Sequence, residues 1–399
     1  MKMKILKIQA SGLKLFEKEI DIDFYAKQRV SSDKNEMLTN VFSNIYINNV
    51  ISMVGINASG KTSTLKVISF ALQLLNNEPI NTIECNEILE GLEEHDEIIF
   101  NIFFIDRGGK LSRLKSVIKT KRFKSELKNE LKSKYFISNE TLWTKSINSV
   151  RSKNDLFDFS NISPVEERKE DELFLLDDVS VMIAYNKKYN NSLNVIDSLD
   201  WTNFNGLRVL GNFPLSLVQF LDPSIEYLEC KEIESDKEIE IRLKFYNKKE
   251  IVIYSLLEIR KYLSSGTVKG INVFMTAMLI LQEGGYLIID ELENHFNKEI
   301  VSTLIRFFMD SEVNTTGAVL IFSTHYVELL DIFERNDNIY IIKNINGINI
   351  ENLSSILKRN DVKKSELFQS GYLENTTPSY KSYINFKRAL KKIPKASEV

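Results

Sequence analysis

The sequence has few cysteines, no strong charge imbalance and no long hydrophobic run. Its 399 residues include only two cysteines, Cys85 and Cys230, which lie far apart and in no spacing typical of metal sites. This argues against a disulfide framework and favours a reducing compartment. The formal net charge of −3 at pH 7 gives no overall attraction to nucleic acid or to an anionic membrane, so such binding would need a local patch.

No segment is apolar over the length that a bilayer span or a signal peptide needs. The longest apolar stretch, around residues 273–281, is followed at once by the polar and glycine residues 282–285. We therefore expect a cytoplasmic protein without a membrane partner. The hydrophobic fraction of 43% and charged fraction of 27% are those of an ordinary globular chain.

The most informative stretch that is present is residues 55–62, Gly-Ile-Asn-Ala-Ser-Gly-Lys-Thr. It has the G-x-x-x-x-G-K-T pattern of a phosphate-binding loop, between a strand-like run (50–54) and a helix-like run (63–68). Glycines let backbone N–H groups converge on phosphate, and the helix N-terminus adds a positive dipole end. Lys61 is predicted to reach the β- and γ-phosphates of ATP and Thr62 to bind Mg²⁺. The predicted nucleotide contacts here are Gly55, Asn57, Ala58, Ser59, Gly60, Lys61, Thr62 and Ser63.

A second strand-like run, residues 286–289, ends in the acidic pair Asp290 and Glu291. This is the Walker B pattern, in which Asp290 would hold Mg²⁺, directly or through water, and Glu291 could polarise the attacking water. Acidic residues are also favoured at the start of a solvated helix, so the pair alone leaves that structural alternative open. The phosphate-binding loop upstream favours the nucleotide interpretation.

Two further segments are candidates for the same site. Ser264, Ser265 and Gly266 precede a long apolar helix, where their N–H and O–H groups could face an anion, although the serines could equally be plain N-caps. His325 ends another buried strand-like run, residues 319–325. A lone histidine is usually structural. If its strand neighbours the acidic one, however, His325 becomes a candidate γ-phosphate sensor.

The rest of the chain predicts a β subdomain, an insertion and a tail. Alternation near residues 5–24 and 97–118, with a turn at Gly108, predicts antiparallel strands. Residues 119–205 begin lysine-rich and become acidic, and we expect them to form a mainly helical insertion beside the Ser264 helix. The expected division is 1–118 (ATPase head with the phosphate-binding loop), 119–205 (insertion), 206–350 (ATPase head with the other motifs) and 351–399 (helical, basic tail).

In order and spacing, these motifs resemble the ABC-type ATPase heads of the SMC, RecF and OLD groups. The implied fold class is α/β: a P-loop ABC-ATPase head with a mixed, parallel-rich sheet, an antiparallel β subdomain and the helical insertion. Two shorter segments further resemble stand-alone bacterial AAA family ATP-binding proteins that accompany abortive-infection and other anti-phage systems. The resemblance rests on the N-terminal strand–Gly–strand unit and on residues 55–62, 263–267, 290–296 and 323–331, with 220–225 and 371–373 for the bacterial subgroup.

The resemblance implies a head-to-tail homodimer or larger homo-oligomer. ATP would lie between the phosphate-binding loop of one copy and Ser264, Ser265 and Gly266 of the other. Glu291 would be the general base, His325 the switch histidine and Lys14 a basic nucleotide contact. The γ-phosphate would supply contacts that differ between closed and open states.

The sequence departs from the pattern of the ABC-type ATPase heads at two points. Residues 263–267 read Leu-Ser-Ser-Gly-Thr instead of the transporter-like Leu-Ser-Gly-Gly-Gln. No glutamine follows the 103–105 strand, where the family's glutamine-bearing loop is expected. Asn101 or Asp106 could take that place.

Several functions remain open from the sequence. We favour an ATPase that regulates or powers an effector partner, a toxin or nuclease, in anti-phage defence, because the nucleotide site is complete and no effector domain is recognisable. An ATP-gated nucleic-acid clamp is motivated by the lysine-rich residues 119–134, although such a run is more often a solvated face. A transporter subunit is disfavoured by the insertion and by residues 263–267, and a nuclease would need carboxylates that no motif reveals.

Overall fold

The computed structural model describes residues 2–30, 37–124, 131–168, 175–201, 204, 206–233, 238–370, 373 and 380–391. The strands are β1 (Lys4–Ser11), β2 (Ile20–Asp23), β3 (Leu38–Phe42), β4 (Ile45–Asn48), β5 (Val50–Val54), β6 (Ile98–Ile105), β7 (Lys110–Lys124), β8 (Leu131–Ser146), β9 (Pro164–Glu167), β10 (Val195–Asp197), β11 (Gly211–Asn212), β12 (Ile225–Ile233), β13 (Glu238–Phe245), β14 (Ile251–Ile253), β15 (Tyr286–Ile289), β16 (Val319–Thr324), β17 (Ile339–Asn344) and β18 (Ile348–Asn352). The α-helices are α1 (Lys61–Leu75), α2 (Met182–Tyr189), α3 (Leu215–Leu221), α4 (Ser265–Glu283), α5 (Lys298–Met309), α6 (Leu353–Ile356), α7 (Lys364–Gln369) and α8 (Tyr380–Lys391). Short 3-10 helices span Asn86–Leu89, Ile147–Ser149, Lys153–Leu156, Glu258–Lys261 and Val327–Ile332.

A six-stranded sheet in the order β10-β15-β16-β5-β17-β18 carries the sequence motifs. Its first five strands run parallel, and β18 at the edge is antiparallel to β17. Strands β5, β15 and β16 are buried along their whole lengths. They read as continuous apolar runs because parallel strands covered on both faces have no solvent side. The predicted parallel-rich α/β fold is confirmed.

The two faces of this central sheet bury separate cores. Successive side chains of a strand point to opposite faces. Ile51 and Met53 therefore pack with α1 and the antiparallel sheet, while Val50 and Val54 pack with α4 and α5. The loop between β5 and α1 thus lies at the carboxyl end of a strand held on both sides, which is where open α/β sheets bind ligands.

An antiparallel sheet in the order β2-β1-β6-β7-β8-β9 lies against the other side of α1. It unites the N-terminal strands with the hairpin that turns at Gly108, as the sequence predicted. The small sheet β3-β4 is attached through an isolated bridge between Tyr25 and Ile47.

The predicted mainly helical insertion at residues 119–205 is wrong. β7 continues to Lys124 and pairs with β8 in a long antiparallel hairpin, so a strand crosses the boundary expected after residue 118. Among the described residues of this segment, α2 is the only α-helix. In this hairpin the buried Thr120 lies between Lys119 and the exposed Lys121. Because lysines take the outer positions here, charge hides the period-two hydrophobic pattern of a strand.

A small β-sheet, not a helical insertion, accompanies α4. Strands β11-β12-β13-β14 form this sheet, and its core includes Val268 and Ile271 of α4. The short helix α3 packs on the same side of α4.

The described residues after β18 include α6, α7 and α8, with a non-helical segment at residues 357–363 between α6 and α7. Helices α6 and α7 pack on the α4–α5 side of the central sheet through Leu353 and Phe368. Basic residues Lys381, Lys387 and Arg388 lie on α8. Gly371 and Tyr372, Lys128 and the basic residues after 391 lie outside the described residues.

Two buried tyrosine hydroxyls join the antiparallel sheet to the central sheet. The Ile5 N–H donates to Tyr286 Oη over 2.8 Å, and the Asp23 N–H donates to Tyr340 Oη over 2.7 Å. Ile5 adjoins a shift in the β1–β6 register, so the hydroxyl accepts from a backbone group next to an irregular point of the ladder. A buried N–H that loses its acceptor costs about 1–3 kcal/mol.

We expect Tyr286→Phe to lower the free energy of unfolding by about 1–3 kcal/mol, because the Ile5 N–H would lose its acceptor. Urea unfolding followed by circular dichroism measures the change. Tyr254→Phe is the control, since Tyr254 is 60% exposed and its variant should stay within about 0.5 kcal/mol of wild type. Equal stability of Tyr286→Phe and wild type would show that this contact does not hold the sheets together.

Candidate nucleotide-binding site

The loop between β5 and α1 is shaped by two glycines. A Cβ on Gly55 would lie 2.4 Å from the Ile342 carbonyl oxygen, and one on Gly60 would lie 2.5 Å from the Ile348 side chain. Gly60 also has a φ of 100°, a left-handed conformation that glycine adopts without strain. The helix α1 begins at the next residue, so its first N–H groups, which have no intrahelical acceptor, lie at the end of this loop.

Lys61 folds its ammonium back onto this loop. Its Nζ donates to the carbonyl oxygens of Gly55 and Ile56, each over 3.0 Å, and lies 3.3 Å from His325 Nδ1. Burial lowers the pKa of Lys61 from its ordinary value, and the carboxylates of Asp290, Glu291 and Glu293 act in the opposite direction. The ammonium thus lies in a pocket with several nearby negative charges.

Asp290, directly after β15, contacts both the start of α1, next to the phosphate-binding loop, and strand β16. Thr62 Oγ1 donates to Asp290 Oδ2 over 2.6 Å, and Ser323 Oγ donates to Asp290 Oδ1. The same Ser323 hydroxyl accepts from the Glu291 N–H over 2.7 Å. Ser323 was not identified from the sequence. Its place on β16, beside β15, follows only from the strand order.

Glu291 and His325 face each other across the pocket. His325 Nε2 lies 3.5 Å from Glu291 Oε1, and Asn294 Nδ2 donates to Glu291 Oε2 over 3.0 Å. Glu291 has a φ of 46°, in the left-handed region where a residue other than glycine is strained. The His325 N–H donates to Glu293 Oε1 over 2.5 Å, so the loop after β15 also holds the histidine backbone.

Lys61, Thr62, Glu291 and His325 line one pocket of about 340 Å³, while Gly55 and Asp290 are not among its lining residues and Asp290 contacts it through Thr62. The pocket brings together most of the residues predicted from the sequence, and it adds Leu15, Asn344 and Ile348, which no motif indicated. Asn344 Nδ2 donates to the Ala58 carbonyl oxygen over 3.2 Å and so supports the loop. The lining residues are Leu15, Asn57, Ala58, Ser59, Gly60, Lys61, Thr62, Ser63, Glu291, His325, Asn344 and Ile348.

Lys14 does not line this pocket in the structure. Its Nζ forms an ion pair with Asp96 Oδ2 at 2.8 Å, and its neighbour Leu15 takes the place on the pocket wall.

Ser264, Ser265 and Gly266 also lie outside the pocket of their own chain. Ser264 caps α4 by accepting from the Thr267 N–H over 3.0 Å, and Ser265 Oγ lies 3.3 Å from His295 Nδ1. A Cβ on Gly266 would lie 2.5 Å from the His295 carbonyl oxygen. Within one chain, this segment therefore contacts the loop that follows Asp290.

The 103–105 strand, after which the glutamine-bearing loop is expected, belongs to the antiparallel sheet and not to the central one. In the central sheet, β15 pairs on one side with β10, which ends at Asp197. Asn101 accepts from the Arg113 guanidinium over 2.7 Å, and Asp106 accepts from the Tyr185 hydroxyl. Both residues have structural partners away from the pocket. Asp197 accepts from Ser69 of α1 over 2.6 Å.

The donor set fits Mg²⁺ with a nucleoside triphosphate. Mg²⁺ favours oxygen ligands and is usually bound by one or two carboxylates together with substrate phosphates. Thr62 and Asp290 would supply one hydroxyl and one carboxylate. Ser59 Oγ is buried in the loop without a hydrogen-bond partner. Over the described ranges, there is no cluster of three or more His, Cys, Asp or Glu side chains that could hold a metal without a ligand's help.

Comparison with protein families gives a match over residues 50–331, to the family described as "AAA domain, putative AbiEii toxin, Type IV TA system". The chain belongs to this family. The match spans more than half of the chain and runs from β5 past His325. It therefore includes the phosphate-binding loop and the Asp290 and His325 segments. The expected kinship with AAA-type ATP-binding proteins of abortive-infection systems is confirmed. The comparison with curated proteins gives no match.

Two further properties bear on partners of this family member. No helix in the described part of the chain is both long and apolar enough to cross a membrane. The lysine-rich hairpin β7–β8 offers less free positive charge than its sequence suggested, because Lys119 pairs with Glu97 at 2.8 Å and Lys134 pairs with Asp177 at 3.1 Å.

We expect Ser323→Ala to lower the ATP turnover number about tenfold, because Asp290 would lose a donor and the Glu291 N–H an acceptor. A steady-state phosphate-release assay measures it. Ser224→Ala is the matched control, since Ser224 Oγ donates to Asp222 Oδ1 over 2.6 Å at an exposed turn. Turnover of Ser323→Ala at the wild-type rate would mean that this hydroxyl does not hold the acidic pair in place.

Proposed function

We propose that this chain binds ATP with Mg²⁺ and hydrolyses it between two copies, and that hydrolysis regulates or powers a partner effector in anti-phage defence. The single observation that supports hydrolysis best is the Thr62–Asp290 hydrogen bond beside Lys61 and Glu291. It joins the phosphate-binding loop to the acidic strand, the two halves that a Mg²⁺-dependent phosphoryl transfer needs.

The proposed chemistry assigns a role to each group. Lys61 and the N–H groups at the start of α1 would bind the β- and γ-phosphates. Mg²⁺, held through Thr62 and Asp290, would neutralise phosphate charge. Glu291 would accept a proton from the water that attacks the γ-phosphorus, while the bond to the β,γ-bridging oxygen breaks and ADP leaves with phosphate. His325, 3.5 Å from Glu291, would contact the γ-phosphate.

The second copy in this proposal completes the site. Ser264, Ser265 and Gly266 lie at the amino end of the 19-residue helix α4, outside their own chain's pocket. A head-to-tail pair of copies would bring that helix end to the partner's nucleotide, as the resemblance to ABC-type heads implies. Two identical sites would result, as the symmetry of such a dimer requires.

The link to an effector rests on the family. Its description names a toxin of a type IV toxin–antitoxin system, and an ATP-driven dimer would suit the control of such a component. The alternative of an ATP-gated nucleic-acid clamp remains a prediction of the lysine-rich segment. Binding to duplex DNA or RNA that weakens steeply with salt would favour it over the effector proposal.

We expect Glu291→Gln to reduce ATP turnover at least about 100-fold, because the water would lose its proton acceptor. ATP-dependent dimers should persist, since the amide keeps the shape of the side chain. Phosphate release and analytical ultracentrifugation with and without ATP measure the two effects. Glu299→Gln is the control and should behave as wild type, because the Glu299 side chain lies on the exposed face of α5. Hydrolysis by Glu291→Gln at the wild-type rate would contradict the assignment of the base.

A mixing experiment tests whether two copies share each site. Lys61→Ala removes phosphate binding, and Ser265→Arg blocks the amino end of α4, so each variant alone should be inactive. In a mixture, half of the dimers are hybrids, and each hybrid has one of its two sites intact. We therefore expect measurable recovery, to at most about a quarter of the wild-type rate. If the mixture stays inactive while both variants fold and associate, the shared site is refuted.

A further inference from the structure

Lys269 is a buried lysine whose ammonium has no hydrogen-bond partner in the described part of the chain. It lies on α4 and is 4% exposed. Its Nζ is 5.5 Å from the centre of the Phe296 ring, in a cation–π arrangement. The proposed ATP site does not use this residue, and no sequence motif pointed to it.

The position of Lys269 connects the start of α4 with the loop after Asp290. Residues four apart share a helix face, so Lys269 lies on the same face as Ser265. That face packs on the loop at two successive residues: Ser265 Oγ is 3.3 Å from His295 Nδ1, and Lys269 lies over Phe296. A movement of the first turns of α4 would therefore shift this loop.

The charges around Lys269 belong to the same loop. Burial lowers the pKa of Lys269 to about 8, and the carboxylates of Glu293, Glu291 and Asp290 oppose that shift. Glu293 Oε2 is buried and also lacks a hydrogen-bond partner, while Glu293 Oε1 accepts from the His325 N–H. A buried positive charge and a buried negative charge thus lie in one region without a hydrogen bond between them.

Stability does not explain this arrangement. A buried ammonium without hydrogen bonds is destabilising, and replacement of buried charges by apolar groups of similar volume is often neutral or stabilising. Lys4 provides the contrast, because it is equally buried at 4% exposure but donates to the carbonyl oxygens of Thr316 and Gly317 at 2.9 and 2.5 Å. One buried lysine is a structural link, whereas the other is not.

We propose that Lys269 is a positioning residue that couples the amino end of α4 to Glu291, Glu293 and His325 of its own chain. When a phosphate group of the nucleotide bound to the second copy contacts Ser265, the first turns of α4 would move. The Lys269 ammonium would then change its position relative to Glu293. Glu293 holds the His325 backbone, so the change reaches the γ-phosphate side of the pocket. The inference rests on the proposed function and deepens it, because each ATP would report its presence to the other site.

The test compares Lys269→Met with Lys4→Met. For Lys269→Met we expect a melting temperature equal to wild type or about 2 °C higher, and an unchanged KM for ATP. Its turnover number should fall about tenfold, and the cooperativity in ATP should be lost. Lys4→Met should show the reverse pattern, with a lower melting temperature and the wild-type turnover number, since two carbonyl groups lose their donor.

Each other outcome decides against the coupling. A lower melting temperature for Lys269→Met would make the lysine an ordinary structural residue. Wild-type turnover with cooperativity intact in Lys269→Met would overturn the coupling and leave the proposed ATPase standing. A wild-type chain that hydrolyses no more ATP than Lys61→Ala would overturn the proposed function, and the coupling with it.

Discussion

The hydrogen bond from Thr62 to Asp290 sets the constraint that the rest of the site follows. The two residues are far apart in sequence. Their hydrogen bond of 2.6 Å forms only if β5 and β15 end at the same level of the sheet. Strand β16 lies between them and contributes Ser323, whose hydroxyl donates to Asp290 and accepts from the Glu291 N–H. The carboxylate is therefore held by both neighbouring elements, and its position fixes where Glu291 leaves the sheet.

The cores on the two faces of the central sheet explain how so short a contact is maintained. The loop between β5 and α1 has little freedom, because a side chain at Gly55 or Gly60 would collide with β17 or β18. β17 and β18 contribute no recognised motif, yet Asn344 donates to the Ala58 carbonyl oxygen and Ile348 fills the space at Gly60. β17 and β18 thus fix the shape of the phosphate-binding loop, and this shape sets the position at which α1 begins.

The local motifs were predictable because each is formed by residues that are adjacent in sequence. The 55–62 pattern, the buried strands and the order of the acidic pair and His325 follow from apolar runs and turn residues, and the structure has β5 at the predicted residues 50–54. The failures concern long-range placement. The ion pair of Lys14 with Asp96 and the place of β6 in the antiparallel sheet depend on contacts between distant segments, which the local sequence does not show. The helical expectation for residues 119–205 failed because exposed lysines masked strand alternation.

Several unfavourable features of the molecule lie in or beside the loop after β15. Glu291 and His295 have left-handed backbone angles, Glu293 keeps a buried oxygen without a hydrogen bond, and Lys269 lies beside this loop as an unpaired ammonium. None of these is needed to bury the surrounding cores, which are apolar and continuous. Strain and unpaired charge persist where the surrounding structure over-determines them, and they are typical of sites that change state. The loop touches the pocket on one side and the start of α4 on the other, so a small shift at either end changes the energy of the same unpaired groups.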